Sequence, residues 1–280
     1  MDKKKHSNNK KNNNNERTYR SRSSSLSSSP SKKKKLVIIA GIVLTVVIIT
    51  GNVSAPMPNI RSNIQQQQQS TFQSPPPSNG GISSEVIQRL ITPSTENAQA
   101  LGSKAAPITL VEFGDYQCTY CQRFHSDTKA NLLANFVDSG KVRFLFKDFP
   151  INDLPADRAS TLAAEASYCA ADQGKYWQYH DQVYDNWRGE NTGWVTKSSL
   201  KQFAIDVGIT DMAKFSQCLD SQIYGNVVMQ NYNLAQNIHL SATPSFVLIA
   251  NNKPQQPALA IVGAQPYSVF ANTINQMING

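Results

Sequence analysis

The apolar residues of this chain follow three different patterns along its length. Residues 36–53 form one unbroken apolar run, and short apolar runs bounded by turn residues occur after residue 105. Between about 154 and 237 the apolar positions instead recur at helical spacing. Residues 1–35 and 54–104 bury too little apolar surface to offset the entropy of folding. The pattern therefore predicts a polar tail, an apolar segment, a linker and one folded region over 105–280.

Four short runs in the folded region are typical of buried strands, because each is apolar and bounded by Gly, Pro, Asn or Asp. A helix-like stretch separates the first two runs, which predicts a β-α-β unit, and a hairpin-like turn separates the last two. A final helix is predicted over Pro266–Met277. The predicted strands are Ile108–Phe113, Val142–Phe146, Ser245–Ala250 and Ala258–Val262.

The stretch between the second and third predicted strands is helical in its periodicity. It predicts a helical subdomain, at about 154–237, inserted into an α/β fold whose strand order is that of thioredoxin. The predicted helices of this insertion are Ala156–Ala171, Tyr176–Trp187, Ser199–Val207, Asp211–Leu219 and Tyr224–Asn237.

The apolar run over residues 36–53 is interpreted as one transmembrane helix. Its 18 residues carry no charge and would span roughly 27 Å as a helix, enough for a bilayer core. Lysines at 32–35 precede it, which predicts a cytoplasmic N-terminus and an extracytoplasmic remainder. The alternative is a cleaved signal peptide with a site near Ala55, although Pro56 disfavours it. Both interpretations place the cysteines outside the cytoplasm.

The positive charge of the chain belongs to its tail. Residues 1–35 hold 12 of the 27 Lys and Arg residues and 2 of the 19 Asp and Glu residues, so the remainder carries a net charge of −2. The tail is interpreted as disordered and membrane-orienting, and a nucleic-acid partner is not expected. The linker over 54–104 is predicted to be a flexible tether, in which Ser84–Ile91 is able to form a short amphipathic helix that docks on the domain.

Two cysteines separated by two residues provide the chemistry. Cys118-Thr-Tyr-Cys121 lies between a strand-like and a helix-like stretch, so Cys118 is expected at the start of a helix, where the amides and the helix dipole favour a thiolate. Such a pair is a redox signal. The alternatives are a static disulfide and half of a metal site, although Cys169 and Cys218 form no second pair at zinc-ligand spacing.

Several motifs resemble those of DsbA-like thiol–disulfide oxidoreductases. The resemblance covers about residues 101–280 and is closest to the branch whose extracytoplasmic domain follows a single membrane segment. It implies a thioredoxin fold with a helical insertion. The matching motifs, in family order, are Ala106–Cys121, Phe144–Pro150, Gln173–Asp181 and Ser241–Val247.

The resemblance also implies roles for individual residues. Cys118 is the attacking thiolate and Cys121 resolves the mixed disulfide. Thr243 and Pro244 correspond to the loop that faces the pair, with a cis peptide bond that presents the Thr243 backbone to an extended substrate. Glu112 corresponds to a buried acid beneath the pair that takes part in proton transfer.

Other residues near the pair are expected to tune it. Thr119 and Tyr120 are expected to set the redox potential through their contribution to the stability of the Cys118 thiolate. The family often has a His in this dipeptide; its absence here argues against a very strongly oxidising potential. Lys147, on the neighbouring strand, is a candidate partner for Glu112.

The remaining candidates are interpreted as structural. Cys169 and Cys218 are expected to form a stabilising bridge outside the cytoplasm; a second redox pair that relays electrons and two unpaired thiols are the alternatives. His180 and His239 are interpreted as packing residues, and no metal is expected. His125 lies four residues after Cys121, a spacing at which both can face the same side of a helix.

The resulting hypothesis is a membrane-tethered thiol–disulfide oxidoreductase that exchanges disulfides with exported proteins. It needs no cofactor beyond the Cys118–Cys121 disulfide, and sustained oxidation implies a membrane redox partner such as a quinone-linked reoxidase. The alternatives are a reductase or isomerase of the same fold and, in a different class, a thiol-based metal carrier or a binding module without catalysis.

Overall fold

The computed structural model of the chain describes residues 82–253 and 255–280. The predictions for the tail over 1–35, for the apolar segment over 36–53 and for the linker before residue 82 lie outside this range. Within it, no helix combines the length and the apolar character needed to cross a membrane.

A four-stranded mixed sheet forms the centre of the domain, in the order β2-β1-β3-β4. Strand β1 is parallel to β2 and antiparallel to β3, and β4 is antiparallel to β3. Every residue of β1 is buried, as expected for a central strand covered on both faces. The strands are β1 (Ile108–Gly114), β2 (Val142–Asp148), β3 (Ser245–Ala250) and β4 (Leu259–Val262). The predicted β-α-β unit and hairpin are confirmed.

The helix that follows β1 is continuous but changes its winding. It begins as α2 (Thr119–Phe124), passes through a π-helical segment (His125–Lys129), and continues as α3 (Ala130–Leu132) and a second π-helical segment (Leu133–Val137). The other helices are α1 (Ser84–Ile91), α4 (Ala159–Ala171), α5 (Tyr176–Asp185), α6 (Lys197–Asp206), α7 (Met212–Ser221), α8 (Gly225–Asn237) and α9 (Tyr267–Asn279).

Three apolar clusters organise these elements. One face of the sheet packs on the helix after β1 and on α9, through residues such as Phe124, Phe246 and Phe270. The other face packs on α1 and α8. The third cluster belongs to the inserted helices and extends to Cys118 and Cys121. The insertion therefore forms one side of the surroundings of the cysteine pair.

The folded region begins earlier than residue 105. Ser83 caps α1 by accepting a hydrogen bond from the Val86 amide at 3.3 Å. Leu90 is fully buried with Val111 on the sheet. Beyond α1, Leu101 pairs with Phe144 of β2. The predicted helix docks on the sheet, because its amphipathic face supplies apolar surface that the polar composition around it conceals.

Candidate active site

The cysteine pair lies where β1 passes into α2. Cys118 is the N-cap residue of α2, with an extended backbone (φ −66°, ψ 126°), and Cys121 lies within the first turn. Both are free thiols, so the pair is in its reduced form. Both are buried, with 5% of Cys118 and none of Cys121 exposed. Cys118 is thus the more accessible of the two, but only its outer edge reaches the surface.

The surroundings of Cys118 favour a thiolate. A hydrogen bond from the Cys121 thiol is the largest of several effects that lower the pKa of Cys118 to about 6, against an ordinary value of 9.0. The backbone amides of Cys121 and Tyr120 lower it further, while burial opposes them. These amides are free because they belong to the first turn of a helix. Cys118 is therefore largely ionised at neutral pH.

Cys121 has the opposite electrostatic environment. Burial, followed by its hydrogen bond to Cys118, raises the pKa of Cys121 well above 9.0. The Asp115 amide donates a hydrogen bond to its sulfur at 3.5 Å, which opposes this effect only partly. The pair therefore holds one proton on the buried sulfur and one negative charge on the outer sulfur.

The loop before β3 faces the outer sulfur. The Thr243–Pro244 peptide bond is cis, and the Thr243 carbonyl oxygen lies 3.4 Å from Cys118 Sγ, from which it accepts a hydrogen bond when Cys118 is protonated. The Gly263 amide donates to the Pro244 carbonyl at 2.7 Å, which ties the loop to the end of β4. Residues 125 positions apart are thus brought into contact at one edge of the sheet.

Glu112 is buried on β1, with 1% of its surface exposed. Burial is the main cause that raises the pKa of Glu112 to about 8, and the charge of Lys129 opposes it. Glu112 is electrostatically linked to both cysteines, since it contributes to the raised pKa of Cys121, and Cys118 contributes to the raised pKa of Glu112. Its Oε1 atom has no hydrogen-bond partner among the residues that the structure describes. A buried carboxyl that titrates near neutral pH is suited to accept the Cys121 proton.

Lys147 is not the partner of Glu112. In the β1–β2 register Glu112 lies opposite Phe146, and Lys147 lies opposite Phe113. Because side chains alternate between the faces of a sheet, Lys147 points to the other face. There it donates to the Thr92 carbonyl at 2.9 Å, and burial lowers its pKa to about 8.

A buried polar cluster that the sequence analysis did not predict supplies the cation instead. Lys129, from the π-helical segment, forms a short ion pair with Asp181 of α5. His180 Nδ1 lies 2.8 Å from the same carboxylate oxygen, and burial lowers the pKa of His180 to about 3. His125 Nε2 contacts Asp185 at 2.9 Å. The one available signal was the spacing of His125 from Cys121.

Three members of this cluster have metal-ligand chemistry. Ligand atoms of His125, His180 and Asp181 lie within 4.8 Å of one another. The Lys129 ammonium already contacts the Asp181 carboxylate there, so a metal ion would have to displace a buried cation. The arrangement fits an ion pair better than it fits a metal centre.

Asp115 shapes the loop before the pair. Its carboxylate accepts hydrogen bonds from the amides of Gln117 and Asn152, each at 2.8 Å. Its carbonyl accepts from the Cys118 amide at 3.0 Å. Burial raises the pKa of Asp115 to about 7, so a second buried acid that titrates near neutral pH lies beside the cysteines.

The two residues between the cysteines differ in their surroundings. The Thr119 amide donates a hydrogen bond to the carboxylate of Glu190, an insertion residue, at 2.7 Å. Tyr120 is 57% exposed and forms part of the surface beside Cys118. The redox-tuning roles of both residues stay predictions.

Cys169 and Cys218 are joined in a disulfide that connects α4 to α7, with their Cα atoms 5.8 Å apart. Neither sulfur is near a helix start, since Cys169 lies near the C-terminal end of α4 and Cys218 in the second half of α7. His180 packs within the aromatic cluster, as expected. His239 does not pack: it is exposed and takes a left-handed conformation (φ 60°) after the end of α8.

Known proteins agree with this geometry. A family model described as Thioredoxin matches residues 94–257. The chain belongs to the thioredoxin family. It is similar to disulfide bond formation protein D of Bacillus subtilis, with 28% identity over 190 residues, which are 67% of this chain and 80% of that protein.

Solved structures show the same architecture. Oxidised BdbD from Bacillus subtilis superposes with a TM-score of 0.58 at 26% identity, over 67% of this chain and 96% of that one. Wolbachia pipientis alpha-DsbA1 has the same fold, with a TM-score of 0.58 at 23% identity, over 68% and 94% of the two chains. The thioredoxin-like fold is confirmed, and the relatives together with the Cys118–Cys121 pair identify a thiol–disulfide oxidoreductase.

Proposed function

We propose that this protein is tethered to the outer side of the membrane, where it exchanges disulfides with exported proteins that carry cysteines. The observation that carries this proposal is the position of the Cys118 sulfur, at the start of α2 and 3.4 Å from the Thr243 carbonyl, and its lowered pKa of about 6 agrees with it. A low thiolate pKa stabilises the reduced pair, which favours its action as an oxidant of substrate thiols.

The exchange proceeds in two steps when the pair begins as a disulfide. A substrate thiolate attacks the Cys118 sulfur, forming a mixed disulfide and releasing Cys121. A second substrate thiolate then attacks its partner sulfur in the mixed disulfide, so the substrate leaves as a disulfide and Cys118 leaves as a thiolate. Two electrons pass from substrate to protein. Glu112 is suited to supply and remove the proton that Cys121 carries.

The environment of the reaction follows from the N-terminal sequence. An uncharged run of 18 residues preceded by four lysines supports a single membrane segment with the catalytic domain outside. The reduced pair then requires an electron acceptor, for which a quinone-linked membrane reoxidase has suitable chemistry. Fractionation of cells and protease accessibility of the intact chain test this part of the proposal.

Trapping tests the catalytic part. In a Cys121→Ser variant the Cys118 thiolate can still attack a substrate disulfide, the reverse of the exchange above, but no Cys121 thiol is present to resolve the mixed disulfide. The variant should therefore accumulate covalent adducts with exported proteins, visible on non-reducing gels and removed by reductant. The matched control, Cys118→Ser combined with Cys121→Ser, should form none. Absence of adducts with the single variant would contradict catalysis, and stoichiometric zinc or copper in the purified protein would favour a metal carrier.

Equilibration with glutathione tests the direction. A reduction potential well above that of thioredoxin, which is about −270 mV, would support an oxidase. A potential near that value would favour a reductase of the same fold.

A further inference from the structure

An acidic side chain shares the helix start with the Cys118 thiolate. The Thr119 amide donates to Glu190 Oε1 at 2.7 Å, whereas the amides of Tyr120 and Cys121 act on the Cys118 sulfur. The start of the helix thus carries two anionic groups, the Glu190 carboxylate on its first amide and the Cys118 sulfur at its N-cap position. Glu190 comes from the segment between α5 and α6, 71 residues after Thr119.

The segment that carries Glu190 is fixed to the active-site loop at several points. Trp187 Nε1 donates to the Gln117 carbonyl at 2.7 Å, and the Asn191 amide donates to the Gln117 side-chain oxygen at 3.3 Å. Trp194 Nε1 donates to the Gly189 carbonyl at 2.8 Å. Both neighbours of Glu190 are therefore held, and its carboxylate is positioned by these contacts although the side chain is exposed.

Gly189 contributes to this positioning through its backbone. Its φ of +105° is one that other residues rarely adopt, and a Cβ atom there would lie 2.9 Å from the Thr192 methyl group. The tight turn brings the next residue, Glu190, toward the helix. Another residue at 189 would have to distort the turn.

The charge of Glu190 acts on the two redox states differently. Adjacent Cα atoms are about 3.8 Å apart, so a carboxylate on the Thr119 amide lies well within the screening length of about 10 Å at 0.1 M salt from the preceding sulfur. Like charges repel, which destabilises the thiolate. The Cys118–Cys121 disulfide is neutral and has no such cost.

We infer that Glu190 is a positioning residue that lowers the redox potential of the Cys118–Cys121 pair, by placing a fixed negative charge at the helix start that carries the thiolate. The inserted subdomain thereby moderates the oxidising strength that the helix start would otherwise confer. This role rests on the thiol–disulfide exchange proposed above. It adds a tuning residue that lies outside the Cys-Thr-Tyr-Cys motif.

The decisive variant is Glu190→Gln, because its amide oxygen still accepts from Thr119 while the charge is gone. We expect the acid dissociation constant of Cys118 to rise about threefold, within the range of exposed charge pairs. The equilibrium with glutathione should shift about threefold toward the reduced pair, which corresponds to about 14 mV. Thiolate absorbance against pH and redox titration measure the two quantities.

Three comparisons separate charge from structure. Glu190→Ala should shift both quantities like Glu190→Gln, since both remove the charge, and added salt should reduce both shifts. Glu85→Gln makes the same chemical change on α1, across the sheet, and should shift neither. A Glu190→Gln variant that titrates like the unmodified protein would overturn the inference, as would a shift that salt leaves unchanged.

The unmodified protein separates this inference from the proposed function. If it shows no reversible two-electron titration with glutathione, the function itself fails. If it titrates and Glu190→Gln titrates at the same potential, only the role of Glu190 fails.

Discussion

The two cysteine pairs of this domain have similar burial and opposite chemistry. Cys118 and Cys121 are 5% and 0% exposed, and Cys169 and Cys218 are 1% and 7% exposed. The first pair is a free dithiol at the start of a helix, while the second joins two helices of the insertion across 49 positions. Burial therefore does not decide which pair exchanges its electrons.

The difference lies in what surrounds the sulfur atoms. Amides of the first helical turn and a neighbouring thiol stabilise negative charge on Cys118. Cys169 lies inside α4, where the backbone amides are used by the helix itself. A thiolate that leaves easily needs free donors beside it, and a helix start supplies them without further side chains.

The largest difference between the pairs should be in disulfide exchange activity when each pair is removed in turn. Cys118→Ser removes the ionised nucleophile and should reduce disulfide exchange to background, a loss of at least about 1000-fold. Removing Cys169 and Cys218 together should leave the rate per folded molecule nearly unchanged. The assay is oxidation of a reduced cysteine-containing peptide. Substantial activity in Cys118→Ser would mean that the second pair is also reactive.

The second effect concerns stability. Cys169→Ala combined with Cys218→Ala should lower the free energy of unfolding by about 4 kcal/mol, because the bridge closes a loop of 49 positions in the unfolded chain. Denaturant unfolding of the unmodified protein and of the double variant, each with Cys118 and Cys121 reduced, measures this difference. Cys118→Ala combined with Cys121→Ala is the matched control and should lower stability much less than the scaffold pair.

A third effect is the pH dependence of stability that Glu112, the buried acid near the Cys118–Cys121 pair, should cause. Glu112 has a folded pKa of about 8 against an ordinary 4.5, so its neutral form stabilises the fold below about pH 4.5, and this contribution is lost as the pH rises to 8. Glu112→Gln should therefore stabilise the protein by about 4 kcal/mol at pH 8 and remove this part of the pH dependence. Unfolding at several pH values measures it; equal slopes in both proteins would contradict the assignment.

The smallest effect distinguishes two buried lysines. Lys129→Met removes the cation that lowers the pKa of Glu112, so that pKa should rise by about 1. Lys147→Met is the matched control on the opposite face of the sheet and should leave the pKa of Glu112 unchanged. Carboxyl NMR titration measures both. A shift of equal size in the two variants would indicate a general loosening of the core rather than a specific charge.

The sequence was informative wherever a pattern is local. The strand β3 follows directly from the apolar run Ser245–Ala250, whose observed bounds are the same, and α1 follows from its amphipathic spacing. The position of Cys118 at a helix start required only the change of pattern around it. The cis bond before Pro244 came from the family resemblance rather than from the local pattern.

Contacts that depend on register or on distant segments were not predictable. The partner of Glu112 was misassigned because strand parity, and hence the face of Lys147, depends on a pairing register that the sequence does not specify. Lys129 reaches the site through a π-helical segment whose rotation no local pattern indicates. Glu190 is brought to Thr119 by a loop 71 residues away.

Because of the disulfide between α4 and α7, this protein itself requires disulfide formation to mature. A newly synthesised chain carries four thiols. Each pair must lose two electrons before the Cys169–Cys218 bridge and the Cys118–Cys121 disulfide are formed. Where an electron acceptor reoxidises the Cys118–Cys121 pair after each exchange, every finished molecule should speed the maturation of the next.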